Sequence, residues 1–181
     1  PEANLARVRT VPFADRESKV SLADLGGPSR PGGTFGDFLD SLPGLLAADS
    51  LRTVARALAE SVRSECGVLW MLGGHVVKTG LGPVLVRMMD RGAVGFIAGN
   101  GALAVHDWEM ARWGRTSEDV EAGLAQGTFG MAEETGRELN EAVRAGAERE
   151  MGLGEDVGWA LAGGRDLVAG QHSVLLQAYR R

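Results

Sequence analysis

Two short apolar runs, each ending in glycine and separated by one helix-like stretch, constrain this chain more than any other feature. The first is CGVLWML, residues 66–72, followed by Gly73-Gly74. The second is AVGFIA, residues 93–98, followed by Gly99-Asn100-Gly101. Between them, LGPVLVRMMDR (81–91) carries Pro83 where a first helical turn tolerates it, and Gly92 follows as a natural terminator. Continuous apolar runs of this length, bounded by glycine, read as fully buried strands, although periodicity alone leaves a buried helix open. Strand, glycine loop, helix, strand, glycine loop is a βαβ unit, and such units imply a parallel sheet. The expected fold class is therefore α/β.

Around this unit the pattern is helical. Residues 1–34 read as an irregular arm, because GGPSRPGGT (26–34) is too rich in Gly and Pro for a helix or a central strand. Residues 35–181 read as one partial domain. Phe35, Phe38, Leu39 and Leu42 have helical spacing, and Asp49 or Ser50 is the expected N-cap of the next helix. In that helix Leu51, Val54, Ala55, Leu58 and Val62 share an apolar face. ALAVHDWEMARW begins another helix after the second run. The capping-box pattern TSED (116–119) then predicts a helix start at Thr116. MAEETGRELNEAVRAGAERE is a long helix with Met131, Leu139 and Val143 inward, and GEDVGWALAGG and SVLLQAYRR are two more. The chain starts without methionine and stops where a further strand is expected, so it reads as part of a larger α/β protein.

Composition narrows the function classes. An apolar fraction of 44% with 24% charged residues is that of a globular protein. A net charge of −5 argues against nucleic acid as a partner, since phosphate neutralisation needs clustered Lys and Arg. No apolar run approaches the roughly 18 residues of a membrane span. The single cysteine, Cys66, rules out an internal disulfide framework and a multi-cysteine zinc site, and makes a reducing, cytoplasmic location the default expectation. Only Lys19 and Lys78 among the basic residues are lysines, so any chemistry needing a neutral amine nucleophile has these two side chains alone.

Ligands of open parallel sheets bind beyond the carboxyl ends of the strands, where both glycine loops fall. The spacing is neither G-x-G-x-x-G nor a P-loop, and a ligand loop and a structural turn both fit. His75 reads equally as a ligand contact or as a half-exposed loop histidine. In HDWE (106–109), His106, Asp107 and Glu109 cluster near a helix start, where Asp107 also suits the helix dipole. His172 lies far along the chain and no metal site is indicated. Trp70, Trp108, Trp113, Trp159, Met88 and Met89 read as core.

The combination G-x-H-V-x-K-x-G-L, then N-G-A, H-D-W-E, T-S-E-D-V and F-G-M-A-E-E-T-G resembles the first half of deoxyhypusine synthases, more closely their bacterial and archaeal relatives. The match spans roughly residues 66–140, and KVSLADL and GGTFGDFLDSLPGLL in the arm look like the same branch. The resemblance implies a Rossmann-like NAD-binding fold, a parallel sheet with helices on both faces. It implies a homotetramer with NAD at subunit interfaces, and a helix-rich C-terminal portion with the later half of the domain absent. The implied chemistry is NAD-dependent dehydrogenation of spermidine, followed by aminobutyl transfer through an enzyme lysine imine to a protein lysine. Relatives transfer the same group to small polyamines, forming homospermidine. By position, Gly74, His75, Lys78 and Thr79 match the first NAD loop, and Asn100, Gly101 and Ala102 the second. His106 stands where the eukaryotic enzymes carry a glutamate near NAD and polyamine, and Asp107 matches the acid beside it. The family's catalytic lysine lies in a later Trp-Gly-Lys segment. This chain offers only Trp113-Gly114-Arg115, so no catalytic residue is assigned within it, and a non-catalytic dinucleotide-binding scaffold is the alternative.

Overall fold

The computed structural model describes residues 5–164 and 166–181. The chain divides into two compact units, one through Ala57 and one from Leu58.

In the first unit, single turns of 3-10 helix at Leu5–Arg7, Phe13–Asp15 and Leu22–Asp24 interrupt extended chain. Helix α1 (Phe35–Ser41) begins with a capping box. The Thr34 backbone N–H and hydroxyl both donate to Asp37, and the Asp37 N–H donates back to Thr34 Oγ1. Those bonds hold the Asp37 carboxyl below its ordinary range, the backbone bond contributing most. Helix α2 (Leu46–Arg63) starts at Leu46, ahead of the expected caps, so Asp49 sits in the first turn, where its charge complements the helix dipole. The start is set earlier in the chain. Arg52 donates to the carbonyls of Leu39, Leu42 and Pro43 at 2.9, 3.0 and 2.7 Å, clamping the end of α1 and the turn after it. On α2, Leu51 and Val54 of the expected apolar face are exposed.

The second unit is mostly helical around a small sheet. Strands β1 (Leu69–Leu72) and β2 (Phe96–Gly99) pair in parallel, with Leu69 opposite Phe96 and Leu72 opposite Gly99. Helices α3 (Gly74–Lys78) and α4 (Gly82–Asp90) make the crossover. Then follow α5 (Gly101–Trp113), α6 (Val120–Gln126), α7 (Glu133–Ala147), α8 (Leu153–Gly163) and α9 (Val174–Tyr179). The parallel βαβ unit and the α/β class are as the sequence implies.

Several local expectations fail in this unit. The strands are not fully buried. Trp70, Leu72 and Ile97 pack on the core, whereas Leu69, Met71 and Phe96 on the alternate positions are exposed, because the helices cover one face of a two-stranded sheet. Cys66 precedes the strand and is exposed. Residues 74–78 form a helix rather than a loop, since Val77 on that turn is driven into the core. The TSED segment does not start a helix at Thr116. Asp119 caps α6 instead, accepting from the Ala122 N–H at 3.0 Å, and Thr116 bonds elsewhere. Met131 is exposed ahead of α7, where Leu139 and Ala142 turn inward.

The core joins α3, α4, α5, α8 and α9 through residues such as Val77, Leu85, Leu103, Trp108, Leu161 and Leu176. Trp70 donates its indole N–H to the Ala93 carbonyl at 2.8 Å. Trp159 lies outside this cluster, with the Arg149 guanidinium 4.1 Å above its ring. Helix α5 ends at Gly114 in the left-handed conformation (φ 66°), so Trp113-Gly114-Arg115 is a helix stop. No helix among the described residues is long and apolar enough to cross a membrane.

Candidate functional site: the crevice beyond the strands

Each strand runs directly into a helix N-terminus. Gly73 caps α3 and Asn100 caps α5, and the Asn100 side-chain oxygen accepts from the Leu103 N–H at 3.2 Å. Because the strands are parallel neighbours, both caps fall at one edge of the sheet. A Cβ placed on Gly73 would lie 3.8 Å from the Asn100 side-chain nitrogen. Between them opens a shallow depression of about 420 Å³ lined by Met71, Leu72, Gly73, Ala98, Gly99 and Asn100. Its walls are mostly apolar. The Asn100 amide is its side-chain polar group, and Asn100 caps α5, whose first N–H groups, at Gly101 and Ala102, have no intrahelical acceptor. A helix start of this kind favours an anionic group.

The sequence-named residues divide between this crevice and the packing behind it. Asn100 lines the depression, and Gly101 and Ala102 begin the helix that Asn100 caps. Gly101 has open space around it, and a Cβ there would meet nothing within 4 Å. Gly74 serves a different purpose. A Cβ at Gly74 would come within 2.7 Å of the Ala102 carbonyl oxygen and 2.4 Å of the His106 ring, so glycine permits the close approach of α3 to α5. His75, Lys78 and Thr79 are exposed on and after α3, and the Thr79 hydroxyl donates to the His75 carbonyl at 2.7 Å. None of these three lines the depression.

Asp107 is fully buried and belongs to a separate arrangement. Its Oδ2 accepts from the Ser173 hydroxyl at 2.6 Å and the Leu175 N–H at 2.9 Å, and its Oδ1 from the Val174 N–H at 2.8 Å. It thus caps α9 from across the core, satisfying N–H groups that a helix start leaves open. Burial pushes its carboxyl above the ordinary range, against the pull of the three hydrogen bonds.

His106 and Glu109, three apart on one face of α5, meet in a hydrogen-bond chain. The His106 Nδ1 lies 2.7 Å from Thr116 Oγ1, the Thr116 hydroxyl donates to Glu109 Oε2 at 2.5 Å, and the Thr135 hydroxyl donates to Glu109 Oε1 at 2.9 Å. Sequence reading places Thr116 only at a helix cap and assigns Thr135 no role in a site. Their part follows from the loop after α5 folding back and from α7 packing on α5, which spacing along one helix cannot reveal. No group of three or more His, Cys, Asp or Glu side chains among the described residues is placed to hold a metal ion. Compared with known proteins, the chain matches no family model, no curated protein and no solved structure.

Proposed function

We propose that this chain is the N-terminal part of a Rossmann-like, NAD-dependent, deoxyhypusine synthase-like transferase, acting on a polyamine and assembling as a homo-oligomer. The observation that supports it most is the crevice at the carboxyl ends of two parallel strands, between the caps Gly73 and Asn100. It is the place in such a fold where a dinucleotide is expected, and the open N–H groups of Gly101 and Ala102 suit its phosphates. NAD bound there would supply the hydride acceptor. The chain's own part is to hold the dinucleotide, with Gly73, Asn100, Gly101 and Ala102 at the crevice and His106 behind Gly74. The scaffold reading has its own support. The Trp113-Gly114-Arg115 segment is a helix stop, and no lysine is among the residues that line the crevice.

The test is NAD affinity in a Gly101→Leu variant, followed by calorimetry. The open space at Gly101 lets the fold accept leucine, while a side chain on the first residue of α5 would crowd a phosphate held at that helix start. Binding is expected to weaken at least tenfold with helical dichroism unchanged. Equal affinity in the variant, or no NAD binding by the parent chain, would overturn the assignment. Gly74 gives a poorer probe, because any side chain there meets the Ala102 backbone.

A further inference from the structure

We infer that a second copy of this chain covers the exposed apolar surface of α6 and the turn after it, by laying its residues 5–20 across that surface. The inference rests on the homo-oligomer reading above and names the segments that meet.

One helix and the turn that folds back on it build the surface. Val120 and Leu124 stand four apart on α6, one turn above the other, and both are exposed. Gly123 is the helix's one buried residue, so α6 gives no apolar side chain to the core. The Thr128 and Phe129 N–H groups donate to the Gly123 carbonyl at 2.9 and 3.2 Å, and the Gly130 N–H donates to Glu118 Oε1 at 2.7 Å. These bonds set Phe129 beside α6 and bring Met131 after it, both exposed. A helix this short holds its shape through packing, which cover from a partner would supply.

The charge around this surface has one sign. From residue 116 to residue 136 the chain carries Glu118, Asp119, Glu121, Glu133 and Glu134, all exposed, and no basic residue. Glu118, Asp119 and Glu133 are engaged locally. Glu121 and Glu134 have no side-chain partner among the described residues. A second α6 surface would be repelled by these carboxylates, which excludes the packing of α6 on α6.

Residues 5–20 have the complementary make-up. Leu5, Val8, Val11, Phe13 and Val20 are exposed, and Arg7, Arg9, Arg16 and Lys19 outnumber Asp15 and Glu17. The Arg16 guanidinium lies 4.7 Å from the centre of the Phe13 ring, while Arg7, Arg9 and Lys19 have no side-chain partner among the described residues. Both stretches are therefore uncovered in a single chain. One sets basic charge among apolar side chains, and the other sets acidic charge among them. Burial of the apolar side chains drives such a contact, and the opposite charges fix its partner and register. Reciprocal exchange between two copies makes the contact twice and closes the pair.

Carbodiimide coupling in an equimolar mixture of nitrogen-14 and nitrogen-15 chains tests this, because Lys19 is one of only two lysines and marks the segment. Mass spectrometry should find Lys19 joined to an acidic residue between 118 and 134, with light and heavy chains paired in about half of the links. Arg7→Glu with Arg9→Glu should lower the yield of these links about fivefold and weaken association measured by sedimentation. Adding Glu121→Lys and Glu134→Lys to that variant should restore the association. Links confined to chains of one isotope would put the segment on its own chain and overturn the proposal. So would a yield indifferent to the arginine changes. Association with no link from Lys19 to residues 118–134 would overturn it and leave the homo-oligomer reading standing, whereas a monomer at every concentration would sink both. Should a variant fail to fold, the isotope pattern of the parent chain still decides.

Discussion

Two buried aspartates behave in opposite ways at the residue scale. Asp107 has three donors on its two oxygens, whereas Asp156, near the start of α8 and 3% exposed, leaves Oδ1 without a partner. Burial raises the Asp156 carboxyl above its ordinary range, and the neighbouring charge of Glu155 adds to the effect. A raised folded-state pKa means that the native chain binds more protons than the unfolded one between the two values. The stabilisation is complete below the unfolded value, about pH 4, and fades as pH climbs through the raised one. Asp107, raised in the same direction, contributes to the same fall. Asp156→Asn removes one of the two titrations. Urea midpoints measured from acid to neutral pH should fall less steeply in that variant than in the parent. At neutral pH it should be more stable by roughly 1 kcal/mol, the scale of an unmade buried polar interaction. An unchanged pH slope would show that Asp156 finds a partner in solution.

At the scale of elements, the helices meet through glycines. A Cβ at Gly158 of α8 would lie 2.5 Å from Tyr179 Cβ on α9, and one at Gly74 would strike the start of α5. At Gly146 of α7 it would fall 1.7 Å from Asp156 Oδ1 and 2.8 Å from Asp156 Cβ on α8. The last distance matters most, because a Cβ cannot swing aside as a side-chain tip can. In an isolated helix Gly→Ala stabilises by about 1 kcal/mol. Here two helices would have to separate, and overpacking of this kind costs roughly 1–3 kcal/mol. Gly146→Ala is therefore expected to lower the denaturation midpoint, whereas Gly136→Ala, on the same helix with nothing within 4 Å, should leave it equal or higher. A stabilising Gly146→Ala would mean that α7 and α8 are not in contact as described.

At the scale of the whole molecule, the sheet leaves apolar surface uncovered. Met71 is 80% exposed and Phe96 66%, on adjacent strands and the same face as Leu69. Two strands also leave an open backbone edge on either side, a template for further pairing. Contiguous surface of this kind drives association. The chain should elute above its 19.1 kDa mass in a concentration-dependent way, and Met71→Thr with Phe96→Thr should move it toward that mass while keeping helical dichroism. Threonine is chosen because it suits a strand with one face in water. A parent chain that remains monomeric at every concentration would contradict this.

The sequence by itself determined most of the element order in the second unit, though neither the helix at 74–78 nor the true start of α6. Its apolar runs and glycines are local signals, so the βαβ unit, the stop at Gly92 and the helices after residue 130 follow from spacing alone. The placing of both glycine loops beyond the strand ends was readable for the same reason, since parallel strands put those loops at one end of the sheet, whereas the cap at Asn100 came from the structure. Tertiary structure decided the rest. Whether a strand is buried on one face or two depends on what covers it, which separates Met71 from Trp70 despite their neighbouring places in one apolar run. Thr116 has the residue type of a helix cap, yet the return of the chain past α5 offers its hydroxyl a histidine and a carboxylate. Asp107 and Ser173 are 66 positions apart, and only the packing of α9 against α5 brings the carboxylate to the N–H groups it satisfies. Local preference selects among conformations by about 1 kcal/mol per residue. Burying a carboxylate or an apolar face changes free energy by more than that, and such burial exists only once distant segments have met.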